Sequence, residues 1–143
     1  MAIGLYVAIA HEARRDPDTP GSDPRWLAFD DRKQTEHLIA ASNYPDLPVW
    51  GGFSTLGLMV QALRSGLGFG PLPCYIGDPD PRLRRLKRAE IRHLADLWLL
   101  SHPDLRNNVR LRAARQCVTE AMTANADLFR GDRPRPTTIA APE

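Results

Sequence analysis

The side chains of this 143-residue chain whose types could do chemistry are four histidines, two cysteines, an aspartate pair and a Ser-Thr pair behind two glycines. His11, His37, His93 and His102 are scattered without metal-ligand spacing, and Cys74 and Cys117 form no CxxC unit. No metal site is expected from them. Gly66-Leu67-Gly68-Phe69-Gly70 has Pro71 where G-x-G-x-x-G needs its last glycine, and it leads into a strand pattern instead of a helix. Neither a Gly-x-Ser-x-Gly elbow nor a phosphate loop is found, and Gly51-Gly52-Phe53-Ser54, the nearest to an anion loop, lacks the lysine. The chain is therefore expected to be no enzyme, with no catalytic residues and no cofactor.

What remains is chemistry of the binding kind. Ser54 and Thr55 precede an apolar-periodic run, so unpaired N–H groups and the positive helix end there favour an anion, with hydroxyls adding directional donors. Ser54 is the expected N-cap, acting either as a cap alone or as a cap that also touches a ligand. Asp31 followed by Gln34 has capping-box spacing, which leaves Asp30 as the freer carboxylate. Neighbouring residues of an extended chain point to opposite sides, so Asp30 and Asp31 make no acid/base pair. The basic run Arg82, Arg84, Arg85, Lys87, Arg88 and Arg92 reads as a solvated edge, because interleaved aromatics are missing.

These residues must be positioned by alternating strands and helices. Leu5 to Ala10 is apolar throughout, as expected of a strand covered on both faces. Arg14 to Pro24, rich in proline and aspartate, is a loop that wraps the surface or moves. Trp26 to Phe29 is a second strand, Gln34 to Ala41 a helix with Leu38 and Ile39 inward, and Val49 to Phe53 a third strand. Leu56, Met59, Val60 and Leu63 recur at helical spacing and Gly66 stands where a left-handed terminator belongs. Leu67 to Leu72 returns as a strand, so the pattern is that of a parallel α/β unit. Leu97 to Ser101 is a further strand. Asn108 to about Ala124 is a helix with Ala113, Ala114, Cys117, Val118, Ala121 and Met122 toward a core, and the tail from Gly131 is expected to be disordered.

Composition sets wider limits. Apolar residues make up 43% and charged residues 25%, ordinary for one small globular domain. A net charge of +2 marks no nucleic-acid binder. Met1 to Ala10 lacks a preceding basic region and is far shorter than the roughly 20 apolar residues of a membrane span. With too few cysteines for a disulfide framework, a cytoplasmic location is the default expectation.

The stretch from Gly66 to Arg106 gives more. Gly66-Leu67-Gly68-Phe69-Gly70-Pro71-Leu72-Pro73-Cys74, then Asp78-Pro79-Asp80-Pro81-Arg82-Leu83, then Leu97-Trp98-Leu99-Leu100-Ser101-His102-Pro103-Asp104-Leu105-Arg106 follow one another. This order resembles the closing half of the effector-binding domain of LysR-type transcriptional regulators, with its "aGlGiallPc" strand, "D.DP.L" turn and "lWLl.HpdLR" strand. The resemblance implies an α/β, periplasmic-binding-protein-like (type II) fold, with residues 4–90 as an incomplete second subdomain. Residues 91–126 are then the return strand and helix of the first subdomain, and 127–143 a disordered tail. Arg14 to Pro24 matches no motif of the family.

For function, the resemblance implies effector sensing within a transcription regulator. The effector, a small organic acid, would meet Phe29 and Asp30, which stand at the family's "gFD" position, together with Phe53, Ser54 and Thr55. The other implied partner is a second copy of the chain, in a homo-oligomer. DNA is reached only through a winged helix-turn-helix without counterpart in this sequence, and no membrane is involved. Two alternatives stand beside this reading. One is a ligand-free interaction fragment whose Trp98, Leu99 and Val118 lack cover; the other is a solute-binding protein of the same fold, against which the missing export signal argues.

Overall fold

The computed structural model describes residues 1–102 and 108–133. Strand β1 (Ala2–Ala8) is buried along its whole length, as its apolar run requires, and a single 3-10 turn, Ile9–His11, ends it. A one-turn helix α1 (Glu12–Arg15) leads through the proline-rich loop to β2 (Trp26–Phe29). Helix α2 (Arg32–Ala40), β3 (Val49–Phe53), α3 (Leu56–Arg64) and β4 (Phe69–Pro73) alternate next. The chain continues through α4 (Cys74–Gly77), β5 (Leu83–Arg85) and β6 (Arg92–His93) to α5 (Val109–Ala124) and α6 (Ala126–Arg130).

The strands form one six-stranded mixed sheet in the order β3-β2-β4-β1-β5, with β6 also paired to β1. The expected parallel pattern holds only in part. β2 is parallel to β3 and β4, whereas β1 runs antiparallel to β4, β5 and β6. Strand patterning carries no direction, so only the pairing reveals this. The molecule is a mixed α/β fold.

Period-two alternation divides the core between the two faces of the sheet. Tyr6, Ala8, Leu27, Leu72 and Leu83 pack with Met59, Ala62 and Leu63 of α3, and Leu56 and Val60 lie half-buried against them. Leu5, Val7, Trp26, Phe69 and Leu86 face the other way, with Tyr44 and with Leu38 and Ile39 of α2. Trp26 and Phe69 lie 4.5 Å apart between ring centroids, and Tyr44 meets Phe69 edge-on at 5.6 Å. Gly66 ends α3 at φ +68°, the left-handed terminator its position predicts.

The loop after α1 is pinned rather than loose. Arg15, nearly buried, donates from Nε to the Gly66 carbonyl at 3.0 Å and from Nη1 to the Asp23 carboxylate at 2.9 Å. Arg84 grips Glu12 and Asp16, and Arg85 grips Asp78. Two members of the expected solvated basic edge are thus half-buried ion-pair partners, because carboxylates of the loop and of the turn after α4 lie over them.

Three further expectations need correction. Leu97–Ser101 forms no strand, and Trp98 and Leu100 are 80% and 86% exposed, since none of the described strands lies beside it. Helix α5 forms where expected yet buries no residue, so its small apolar face meets no core among the described residues. Asp127–Arg130, assigned to the tail, completes α6, which packs on α4 through Tyr75 and Phe129 with ring centroids 5.1 Å apart. Pro103 to Arg106 of the third motif and residues 134–143 of the tail lie outside the described residues.

Candidate functional site

Parallel pairing of β2 with β3 aligns Phe29 with Phe53, so both strands end at the same rim of the sheet. Asp30 N–H donates to the Phe53 carbonyl at 3.2 Å and continues the pairing one residue beyond β2. A Cβ on Gly52 would stand 2.5 Å from Asp30 Oδ1, so glycine there lets the exposed carboxylate lie across the β3 backbone. Phe53 is half-buried and stacks on Trp50 at 6.3 Å. Phe29, Asp30, Phe53, Ser54 and Thr55 are thereby brought to one edge. In open α/β sheets this carboxyl edge, beside the point where the strand order reverses, is where ligands settle. Here that reversal falls between β2 and β4, because β3 lies on one side of β2 and β4 on the other.

The caps decide which groups stay available. Asp31 is the N-cap of α2, its carboxylate accepting from Gln34 N–H at 3.0 Å, as the spacing predicts. On α3 the cap is Thr55, not Ser54. Thr55 Oγ1 accepts from Leu58 N–H at 3.3 Å, and its extended backbone (φ −134°, ψ 151°) is that of an N-cap. The helix begins one residue later than expected, at Leu56, the first member of the apolar stripe. Ser54 is exposed and its hydroxyl caps nothing. The rim therefore carries one exposed carboxylate and one hydroxyl free of capping, beside the start of α3. These groups can bind and orient a polar ligand; they include no paired acid and base.

Beside the rim lies a hollow that sequence reading missed. The α2-side face of the sheet is filled by Trp26, Phe69 and Tyr44 at one end, but toward the rim it carries Ala28, Pro71, Pro73 and Ile3. Ile3 pairs with Pro73 and Leu5 with Pro71, which puts the prolines on the same face as Phe69. Phe69 N–H donates toward β2, to the Arg25 carbonyl at 2.9 Å, and Pro71 and Pro73 on that side have no N–H to offer. The β2–β4 ladder accordingly stops at Trp26 and Phe69. Helix α2 spans the small side chains without filling the space beneath, leaving about 220 Å³ bounded by Gln34, Thr35, Leu38 and Ile39 above and by Leu56 and Leu94 at its margins. The only available signal was the proline alternation at 71 and 73 opposite Ala28.

At the carboxyl end of β4 another polar cluster is closed on itself. Tyr6 Oη, inside the core, donates to Asp78 Oδ1 at 2.8 Å, and Asp78 also accepts from Arg85. Burial first, then that hydrogen bond, drives the Tyr6 hydroxyl far above its usual range. Burial likewise raises the thiol of Cys74, the buried first residue of α4, which fits a small core residue at a strand end. Among the described residues every buried side-chain nitrogen and oxygen has a hydrogen-bond partner, and no group of three or more His, Cys, Asp and Glu residues could hold a metal. No described helix is long and apolar enough to cross a membrane. Comparison with known proteins gives no family assignment: no family model matches the chain, and neither a curated protein nor a solved structure does.

Proposed function

We propose that residues 4–90 are a periplasmic-binding-protein-like (type II) effector subdomain, and that the chain is the ligand-sensing part of a cytoplasmic, homo-oligomeric LysR-type transcriptional regulator. The observation that carries this reading is the alignment of Phe29 with Phe53. It joins the two segments expected to wall an effector cleft, at the carboxyl edge where such clefts lie. In this reading the effector is a small organic acid meeting Ser54, Thr55 and the start of α3, while DNA is contacted by a winged helix-turn-helix outside these residues. Ligand closure biases one of two assembly states.

The test is a thermal-shift panel of aromatic and aliphatic carboxylates against the wild type and a Ser54→Gly, Thr55→Gly double variant, since glycine still caps at a cost of only about a few tenths of a kcal/mol. A carboxylate-specific shift that drops in the variant supports the reading, and equal shifts in both proteins remove Ser54 and Thr55 from the site. A second reading, a ligand-free interaction fragment, is favoured by the exposed run Leu97–Leu100 and the uncovered α5. No shift with any acid, together with self-association, would select it.

A further inference from the structure

We propose that the hollow between α2 and the proline-bearing half of the sheet is a binding site for a small, neutral, ring-bearing molecule, distinct from the polar rim. Its floor is Ile3, Ala28, Pro71 and Pro73, and its roof is Leu38 and Ile39. The space exists because two neighbouring strands, β2 with Ala28 and β4 with Pro71 and Pro73, carry small or ring-closed side chains on the one face where they elsewhere carry Trp26 and Phe69. It does not arise from a side chain turned away, so it needs no rearrangement to open.

Size and polarity specify the occupant. An apolar cavity of about 150 Å³ takes benzene and stays dry without it. At about 220 Å³ this hollow is half as large again, which scales to a body of roughly nine heavy atoms, a fused bicycle or a substituted single ring. No charged side chain lines it. A carboxylate or ammonium would enter without a counter-charge, at a large desolvation cost. Two polar side chains do line it. The Thr35 hydroxyl is committed to the Phe29 carbonyl at 2.8 Å, whereas the Gln34 carboxamide, at the solvent side of α2, has no hydrogen-bond partner among the described residues. The site is thus an apolar slot with one neutral donor and acceptor at its mouth, matched by a ring bearing one N–H, hydroxyl or carbonyl group. The organic-acid reading of the rim shares only Phe29 with this site and follows the opposite charge logic.

The experiment is titration of the full chain, methyl-labelled for NMR, with indole, toluene and benzoate at pH 7. The expected result is saturable shifts at the methyls of Ile3, Leu38 and Ile39 with indole and toluene, and at least tenfold weaker response to benzoate. Ala28→Leu, which fills the floor, should weaken both neutral probes at least tenfold. Gln34→Leu, at an exposed position that leaves folding intact, should weaken indole several-fold and leave toluene unchanged. Absence of saturable shifts with either neutral probe, benzoate shifting the Ile3, Leu38 and Ile39 methyls as tightly as toluene does, or a Gln34→Leu variant that holds indole as well as the wild type would each overturn the proposal. None of these outcomes depends on whether carboxylates bind at Ser54 and Thr55.

Discussion

Leu63→Ala measures how firmly α3 is seated. Leu63 is completely buried, and it packs among Tyr6, Leu27, Met59, Leu72 and Leu83, of which all but Met59 belong to the sheet. Replacement with alanine removes three carbons and leaves a void. A hydrogen-bonded sheet cannot collapse into that void as a loose helix pair could, so the cost should lie in the middle of the 2 to 5 kcal/mol range, at about 3 to 4 kcal/mol. That is a large part of the roughly 5 to 15 kcal/mol holding a typical domain together. With a urea slope of about 2 kcal/mol per molar, the unfolding midpoint should drop by about 1.5 to 2 M. Leu58, on the same helix but 54% exposed, is the internal control. Leu58→Ala should stay within about 0.5 kcal/mol, as surface changes do. Circular dichroism through urea titrations of both variants gives the answer. If Leu63→Ala loses under about 0.5 kcal/mol, or if the two leucines cost the same, the inner face of α3 is misassigned.

Three other outcomes are expected. Thr55→Ala should cost about 1 kcal/mol through loss of the α3 cap while Ser54→Ala costs next to nothing, and the reverse order in denaturant melts would reinstate Ser54 as the cap. The Cys74 thiol and the Tyr6 and Tyr44 hydroxyls are raised by burial above their ordinary values of 9.0 and 10.0, so each binds its proton more tightly in the folded chain. Their stabilisation is full below about pH 9 and is lost as pH rises toward the folded values; urea midpoints followed from pH 8 to 11 should fall, and a flat or rising curve would contradict the linkage. Finally, the exposed Leu97–Leu100 run should drive self-association, seen by light scattering as a mass above 16.0 kDa that a Trp98→Glu, Leu100→Lys variant returns to the monomer value. A monodisperse wild-type monomer would remove the case for an uncovered interface.

Local signals foretold local structure well. Leu56, Met59, Val60 and Leu63 marked α3 and its inner side, Gly66 marked its end, and Trp26–Phe29 and Val49–Phe53 marked the two strands that carry the rim. Asp31 was legible as a cap because its partner Gln34 is three residues away. Ser54 was misread because two adjacent hydroxyls can each cap, and only the phase of Leu56 against the core chooses between them. Strand direction was illegible at β1, since an apolar run looks the same in either sense. Leu97–Ser101 has the composition of a strand, but a strand exists only through a partner. The hollow under α2 depends on Ala28, Pro71, Pro73 and Ile3 meeting across three strands, a coincidence that a one-dimensional pattern does not display.

The attachment of α5 has a mechanical consequence. Its sixteen residues follow one axis for about 24 Å at 1.5 Å per residue, yet it buries no side chain. Among the described residues its seating comes through the five-residue α6, held where Arg85 Nη1 and Nη2 each reach the Gly131 carbonyl at 3.1 Å and Phe129 meets Tyr75. The pair is a lever on a short fulcrum. A tilt of about 10° at α6 swings Val109, at the outer end of a 24 Å arm, by about 4 Å. The fulcrum rests on α4, which directly follows Pro73 at the rim end of β4. Displacements too small to see in the sheet would thus be magnified at the outer end of α5, the place for a distance probe.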